Sequence, residues 1–254
     1  MAKQPSCQKV RSCKAGADHL PQIINQAEMN AQGFNGPVLD LHIQSLTFSD
    51  RPILTDIKLK VSRSETLALI GPSGVGKTSL LRIVAGLETQ YQGTFSVSGR
   101  TAMVFQEPTL LPWRTLQDNL CITANISAAD ALIALEEVGL ANRAKEYPNA
   151  LSLGQQRRLS LARAFAVKPD LLLMDEPFVS LNPTLVEDMM ALFAKLRAAH
   201  KVTTIIVTHV EAEAKRLASR IVTLGGAPGQ IVSDVQNKGA YFQLSASGVT
   251  SSKS

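Results

Sequence analysis

Apolar and polar positions follow two kinds of pattern along most of the chain. They alternate over residues 38–48 and 53–61, which predicts an antiparallel pair of half-buried strands. The run Thr66–Ile70 is almost continuously apolar, as expected of a strand buried on both faces of a sheet. Further apolar runs predict strands at 101–105, 171–174 and 202–207, and amphipathic stretches predict helices at 77–87, 128–138, 155–166, 183–199 and 211–218. Because strands that alternate with helices assemble into parallel sheets, the pattern predicts an α/β fold with a largely parallel sheet.

The two ends of the chain lack this pattern. Residues 1–37 are rich in Gln, Asn, Ala and Lys, which predicts an extension outside the core; residues 23–29 are its best helix candidate, and a docked helix stays open as an alternative. Residues 241–254 are polar and Ser-rich, which predicts a tail. One folded domain is therefore expected over residues 38–240. Cys7 and Cys13 have no second pair of ligands at zinc spacing, so they do not predict a metal site.

Composition narrows the class of protein. The 254 residues are 45% hydrophobic and carry 26 Lys plus Arg against 21 Asp plus Glu, a formal charge of +5. A disordered or fibrous chain is excluded, and an anionic partner is compatible with this charge but not implied by it. There is neither an apolar stretch near the roughly 20 residues that cross a bilayer nor an N-terminal signal core, so we expect a protein that is neither membrane-spanning nor secreted. Three cysteines are too few for a disulfide framework, which fits a reducing cytosol.

A glycine-rich loop follows the buried strand at 66–70. Residues 71–78 match the pattern G-x-x-x-x-G-K-[ST] between a strand and a helix, a context that disfavours an incidental turn. Such a loop forms a nest of N–H groups that faces a β-phosphate, and the helix N-terminus adds positive charge. Lys77 would bridge the β- and γ-phosphates, and the Thr78 hydroxyl would ligate Mg²⁺. The predicted nucleotide ligands are Gly71, Pro72, Ser73, Gly74, Val75, Gly76, Lys77, Thr78 and Ser79.

Two acidic residues end the apolar run at 171–174. A buried strand here would deliver Asp175 and Glu176 to the C-terminal edge of the sheet, where ligands bind in such folds. Asp175 would hold Mg²⁺ through its water shell, and Glu176 would orient or deprotonate an attacking water. The alternative is an acidic pair at a helix N-terminus.

Two further motifs complete a resemblance. Residues 151–155 are Leu-Ser-Leu-Gly-Gln at the start of a helix, and Val-Thr-His ends an apolar strand at 207–209. Together with the loop and the Asp-Glu pair, in this order, they resemble the ATP-binding cassette family, the ATPase subunits of ABC transporters. The resemblance covers about residues 38–235. It implies a P-loop cassette with a mainly parallel core sheet, an antiparallel β subdomain and a helical subdomain at about 107–167.

The resemblance also implies roles for single residues. Gln106 matches the glutamine that senses Mg²⁺ and water and couples to the membrane subunit. His209 would contact the γ-phosphate, whereas the other histidines are expected to be surface or structural. Phe48 lies where an aromatic residue stacks on adenine, and a core phenylalanine is an equal alternative on sequence alone.

The Leu-Ser-Leu-Gly-Gln element at residues 151–155 resembles the family's signature motif, and this motif implies a dimer. Ser152, Gly154 and Gln155 begin a helix, so hydroxyl, N–H groups and helix dipole make a second anion site. In relatives this site binds the γ-phosphate held by a partner subunit, so two ATP molecules are buried between two subunits. Residues 180–182 match a loop that contacts the partner.

Two positions depart from the family pattern. Leu153 replaces the usual glycine after the signature serine, and its narrower φ range is expected to carry a cost near the dimer interface. Asn182 replaces an aspartate and removes a charge. An active ATPase is favoured because four residues are intact: Lys77, Gln106, Glu176 and His209. A weakly hydrolysing regulatory or structural subunit is the alternative.

The segment 106–115 contains two prolines, two leucines and Trp113, the only tryptophan. An apolar loop of this kind predicts a binding groove, with Trp113 as a core anchor being the alternative. Within the family the segment resembles importers of nitrate, taurine, alkanesulfonates and similar anions. The resemblance thus implies an importer ATPase that uses ATP and Mg²⁺ at the cytoplasmic face of the plasma membrane. Its partners would be a second ATPase subunit, two transmembrane permease subunits and, indirectly, a solute-binding protein, with no nucleic acid; a soluble ABC ATPase acting on DNA or the ribosome is the minor alternative.

Overall fold

A computed structural model describes residues 36–239. The expectations for the N-terminal extension, including its helix candidate and Cys7 and Cys13, lie outside the described residues. So does the expectation for the C-terminal tail.

Nine strands and six α-helices are described within residues 36–239. In chain order they are β1 (Leu39–Phe48), β2 (Arg51–Val61), β3 (Thr66–Ile70), α1 (Lys77–Val84), β4 (Tyr91–Val97), β5 (Thr101–Val104), α2 (Leu116–Ala124), α3 (Ala128–Glu137), α4 (Leu153–Ala166), β6 (Leu171–Asp175), α5 (Pro183–His200), β7 (Thr203–Val207), α6 (Glu211–Leu217), β8 (Arg220–Gly225) and β9 (Gln230–Gln236). Two short 3₁₀ turns, Ala141–Arg143 and Pro148–Ala150, connect α3 to α4.

The central sheet has six strands in the order β5-β6-β7-β3-β8-β9. The first five are parallel, and β9 runs antiparallel to β8 at the edge. Parallel strands need crossover connections, and the helices between them supply these. The predicted α/β fold with a mainly parallel sheet is confirmed, and the carboxyl ends of β3, β6 and β7 lie at one edge.

A second sheet of three antiparallel strands has the order β2-β1-β4. The predicted pair is confirmed, with Leu39 opposite Val61 and Leu41 opposite Leu59. The third strand, β4, was not predicted. Its partly buried residues Tyr91, Phe95 and Val97 alternate with exposed ones, and Gly93 weakens the strand signal.

The hydrophobic core has two main parts that share the central sheet. On one side, Leu171 and Leu173 of β6 pack with α1 and the antiparallel sheet. On the other, Leu172 and Met174 pack with α2 to α5. Successive side chains of a strand point to opposite faces, and both faces of β6 are buried. All four of these positions of β6 are therefore apolar.

The helical region lies on the second of these sides. Helix α2 was not predicted, since only Leu116 and Leu120 form its buried apolar stripe. A capping signal was present in the sequence: the Thr115 side chain accepts a hydrogen bond from the Asp118 N–H and begins the helix. In residues 36–239, no helix is both long and apolar enough to cross a membrane.

Candidate active site

The glycine-rich loop connects β3 to α1 at the carboxyl edge of the central sheet. Gly71 and Gly76 have φ angles of 145° and 103°, which disfavour any other residue. They also lie against other segments. A Cβ on Gly71 would be 2.3 Å from the Leu224 carbonyl oxygen, and one on Gly76 would be 2.5 Å from Leu54 Cδ2. The loop is therefore built from glycine for both its backbone shape and its close packing.

Lys77 begins α1 and is only 5% exposed. Its Nζ donates hydrogen bonds to the carbonyl oxygens of Gly71 (2.8 Å) and Pro72 (2.9 Å). Burial lowers the pKa of Lys77, and the carboxylates of Glu176 and Asp175 act in the opposite direction. An ammonium group is thus held over the loop, next to the N–H groups that would face a phosphate.

Thr78 and Asp175 meet at the end of β6. The Thr78 hydroxyl donates to Asp175 Oδ1 at 3.1 Å, and Asp175 is 7% exposed. Burial raises the pKa of Asp175, while the hydrogen bond from Thr78 acts against this rise. A hydroxyl and a carboxylate are the oxygen donors that Mg²⁺ prefers, so this pair fits a magnesium site.

Glu176 and His209 come together from two neighbouring strands. The Glu176 N–H donates to the Val207 carbonyl at 3.0 Å, which ties the end of β6 to the end of β7. His209 Nδ1 then lies 3.4 Å from Glu176 Oε1. Glu176 has a positive φ of 44°, which turns the chain away from the sheet immediately after the strand. The arrangement places a carboxylate and an imidazole side by side at the edge that carries Lys77.

Ser152 caps α4 in a complete capping box. Its Oγ accepts from the Gln155 N–H at 3.4 Å, and Gln155 Oε1 accepts from the Ser152 N–H at 3.0 Å. Gln155 Oε1 also accepts from Arg143 Nη1 at 2.7 Å. Gly154 is buried against Leu185 of α5, and exposed Leu153 is the first helical residue.

The expected backbone cost at Leu153 is absent, and this expectation was wrong. Leu153 is helical and is not among the residues with positive φ, so the freedom of glycine is not used there. Asn182 keeps a structural role as well, because its Oδ1 accepts from the Leu185 N–H at 2.9 Å and caps α5. An aspartate would make the same bond.

The loop residues and the signature residues lie on different elements. The main contacts of α1 are with β6 and β7, whereas those of α4 are with α2, α3, α5 and β5. The structure thus brings Lys77, Thr78, Asp175, Glu176 and His209 to one edge. It places Ser152, Gly154 and Gln155 at the start of α4 instead.

Phe48 and Gln106 are both exposed residues, at or near the ends of β1 and β5. Phe48 ends β1 and is 49% exposed, so the alternative of a core phenylalanine was wrong. Gln106 is exposed two residues beyond the end of β5. Of the other described histidines, His42 contacts Asp56 and His200 contacts Glu137, which agrees with surface or structural roles.

Trp113 lies on the loop before α2 and is 68% exposed, so the alternative of a core anchor was wrong. The loop is organised by Asn119, which sequence analysis missed. This fully buried amide accepts from the Leu111 N–H at 2.8 Å and donates to the carbonyls of Leu111, Arg114 and Thr115 at 2.9–3.2 Å. The role of Asn119 depends on its burial in α2, which was not predicted, so the sequence carried no signal for it.

Helix α4 also supports the segment after Gln106, a role that sequence analysis missed. The Ser160 hydroxyl donates to the Pro108 carbonyl at 2.8 Å. Arg163 donates to the Thr109 carbonyl at 2.7 Å and to the Pro108 carbonyl at 3.2 Å. The helix that begins at the signature motif therefore holds the loop that presents Trp113.

Comparison with known proteins bears on this arrangement. A family model described as ABC transporter matches residues 54–179. The aliphatic sulfonates import ATP-binding protein SsuB 2 of Burkholderia cenocepacia is 38% identical to this chain, and the match covers 80% of each chain. SsuB 1 of Agrobacterium fabrum is 42% identical and covers 76% of this chain and 72% of its own. SsuB of Granulibacter bethesdensis is 43% identical and covers 74% of this chain and 80% of its own.

A solved structure has the same fold. It is the dimeric post-hydrolysis state of the ATP-binding cassette MJ0796 bound to ADP and Pi. It matches with a TM-score of 0.69 and 26% identity, over 79% of this chain and 99% of that chain. With these motifs, this fold and relatives at 38–43% identity, the chain belongs to the ABC transporter family, in its class of ATP-binding ATPase subunits.

Proposed function

We propose that the chain is the ATPase subunit of a membrane importer of aliphatic sulfonates or related small anions, and that it works as a dimer with ATP buried between two copies. The observation that carries the proposal is the grouping of Lys77, Thr78, Asp175, Glu176 and His209 at one sheet edge. The relatives' names support import of sulfonates more strongly than import of nitrate or taurine.

Each side chain at this edge has a chemical part in hydrolysis. The loop N–H groups and Lys77 bind the phosphates, and Thr78 and Asp175 are the pair that would hold Mg²⁺, which supplies positive charge to the phosphate oxygens. Glu176 orients the attacking water and accepts its proton. His209, in contact with Glu176 Oε1, is placed to orient the γ-phosphate and the water together.

The dimer follows from where the signature residues lie. Ser152 presents a hydroxyl and a helix N-terminus, a favourable anion site, on an element whose main contacts are not with α1. Two copies that face each other would bring the Ser152 of one copy to the phosphates held by the other. The dimeric state of MJ0796 with ADP and Pi supports this arrangement.

The partners follow from the exposed loop. One segment runs from the carboxyl edge of the central sheet, where β5 ends, to the surface, and it contains Gln106, Pro108 and Trp113. Helix α4 supports this segment through hydrogen bonds to the Pro108 carbonyl. We propose that this segment docks on a permease subunit at the cytoplasmic face of the membrane. Two permease subunits and a solute-binding protein complete the importer.

Glu176→Gln tests the proposal. Gln keeps the size of the side chain but cannot accept a proton, so ATP turnover should fall by at least about a hundredfold while ATP binding persists. The variant should form a dimer with ATP and Mg²⁺, measured by light scattering after gel filtration. Glu136→Gln, on the exposed face of α3, is the control and should resemble the wild type.

Two results would contradict the proposal. Equal and negligible ATPase rates in the wild type and in Glu176→Gln would favour the weakly hydrolysing alternative. A Glu176→Gln protein that binds ATP and stays monomeric would contradict the shared site.

A further inference from the structure

Glu213 is a carboxylate close to Glu176 and His209, the proposed catalytic pair, and it takes no part in the hydrolysis as proposed. We infer that Glu213 is a positioning residue for hydrolysis: through the Thr208 hydroxyl it holds the turn that carries His209 against Glu176. The inference rests on the proposed function, because it assigns a residue that acts on the same reaction.

The contacts form a short chain around His209. Thr208 follows β7 directly and is 2% exposed. Its hydroxyl donates to Glu213 Oε2 at 2.5 Å and accepts from the Val210 N–H at 3.1 Å. His209 is the residue between Thr208 and Val210, so these two hydrogen bonds fix the backbone before and after His209.

The first turn of α6 explains why the link passes through Thr208. Val210 is the N-cap residue and has no side-chain oxygen, so the helix lacks an ordinary cap. Glu213 is the third helical residue, the position whose glutamate takes the N-cap N–H directly in a capping box. Here the Thr208 hydroxyl oxygen accepts the hydrogen bond from the Val210 N–H, and the same hydroxyl donates to the Glu213 carboxylate.

The carboxylate is delivered from a helix that cannot shift easily. Ala214 and Ala218 pack in a small buried cluster with Ala68 of β3. In addition, α6 is tied to α5 by the paired Arg216 and Glu187. Glu213 is therefore a fixed support, and Thr208 transmits its position to the turn.

Charge agrees with this placement. Burial raises the pKa of Glu213, the Thr208 hydrogen bond and His209 lower it, and Glu176 raises it. Glu213 thus lies within electrostatic range of both members of the proposed catalytic pair. Its neighbour on the same turn, Glu211, is exposed and pairs with Lys215 one turn on, so it offers a matched control.

The test is ATP turnover by the full-length chain carrying Glu213→Ala, Thr208→Val or both. Each single change should lower kcat about tenfold and leave the KM for ATP within about twofold, because Lys77 and the loop carry affinity. The double variant should lose no more kcat than either single variant, because both changes interrupt the same series of hydrogen bonds. Glu213→Gln and Thr208→Ser keep the hydrogen bond and should retain most of the activity. Glu211→Gln should match the wild type.

A second readout is the imidazole NMR signal of His209 in the protein without nucleotide. It should shift in Glu213→Ala and in Thr208→Val but not in Glu211→Gln. The inference is overturned if kcat is unchanged in both single variants, if their losses add, or if Glu211→Gln loses as much. A Glu213→Ala chain that fails to fold leaves Thr208→Val and the His209 signal as the deciding measurements. An inactive wild type would instead contradict the proposed function.

Discussion

At the scale of single residues, Lys77 is held by the loop that it belongs to. Two backbone carbonyls, those of Gly71 and Pro72, accept hydrogen bonds from its ammonium group, and burial lowers the pKa of Lys77. A phosphate would offer the same ammonium group a full negative charge in place of two neutral carbonyls. The attraction between two full charges then adds to the hydrogen bond, so we expect the side chain to turn toward a bound phosphate.

Lys77→Ala tests this expectation. Loss of the charge should weaken ATP binding by about 2–3 kcal/mol, or roughly 30- to 150-fold in Kd, by isothermal calorimetry with Mg²⁺. Lys58→Ala, which removes an exposed lysine paired with Asp56, should leave Kd unchanged. Equal affinity in the two variants would mean that the loop N–H groups bind the phosphates without help from Lys77.

The sequence allowed this loop to be predicted, because its glycines, lysine and threonine are contiguous. It did not allow two of its neighbours to be predicted. Leu54 is packed on Gly76 from the antiparallel sheet, and the Leu224 carbonyl is packed on Gly71 from β8. Such contacts depend on tertiary proximity, which local patterns do not encode. Glu213 is a different case: it is close in sequence to His209, but a glutamate in a first helical turn indicates capping and nothing more.

At the scale of elements, α2 and α4 together shape the surface loop. Asn119 of α2 satisfies both the N–H and the carbonyl of Leu111 as well as two further carbonyls, and α4 binds the carbonyls of Pro108 and Thr109. The loop therefore holds Trp113 at the surface, where its side chain is exposed and is not packed in the core. Exposed apolar residues were predictable from the composition of the loop, but the buried amide that holds them was not.

Asn119→Ala should release this loop. Removing a buried amide that leaves several backbone groups unpaired should cost about 2–4 kcal/mol in the free energy of unfolding, measured with urea. The anisotropy of Trp113, the single tryptophan, should fall as the loop becomes mobile. Gln117→Ala on the same helix removes one hydrogen bond to the Ala128 carbonyl and serves as the control. An unchanged anisotropy in Asn119→Ala would show that α4 alone holds the loop.

At the scale of the whole molecule, Arg220 joins the two sheets. From the start of β8 it donates to the Lys60 carbonyl of β2 at 2.7 Å and to both oxygens of Asp234 in β9 at 2.6–2.7 Å. Glu65 Oε1 lies 3.3 Å from the same guanidinium. Sequence patterns predicted an antiparallel strand pair and a largely parallel sheet, but not β8 and β9, which carry Arg220 and Asp234. The link was not predicted either, because charged residues at strand ends ordinarily face solvent.

The Arg220–Asp234 pair, which connects β8 and β9 within the central sheet, makes stability depend on pH in a definite direction. The hydrogen bonds from Arg220 hold the pKa of Asp234 below its usual 3.8. A carboxyl whose pKa is depressed by folding stabilises the protein fully above its unfolded pKa, and this contribution is lost as the pH falls through the folded pKa.

Asp234→Asn should therefore lower the free energy of unfolding at pH 7 by about 1 kcal/mol, a modest value because the side chain of Asp234 is 39% exposed and solvent screens the pair. The difference from the wild type should stay constant down to about pH 5 and shrink below it. Asp56→Asn removes a more exposed carboxylate that pairs with Lys58, and it should change stability little at any pH. Urea unfolding at a series of pH values measures all three proteins. A difference that persists unchanged at pH 2.5 would show that Asp234 acts through hydrogen bonds available to its protonated form, and that its charge does not contribute to stability.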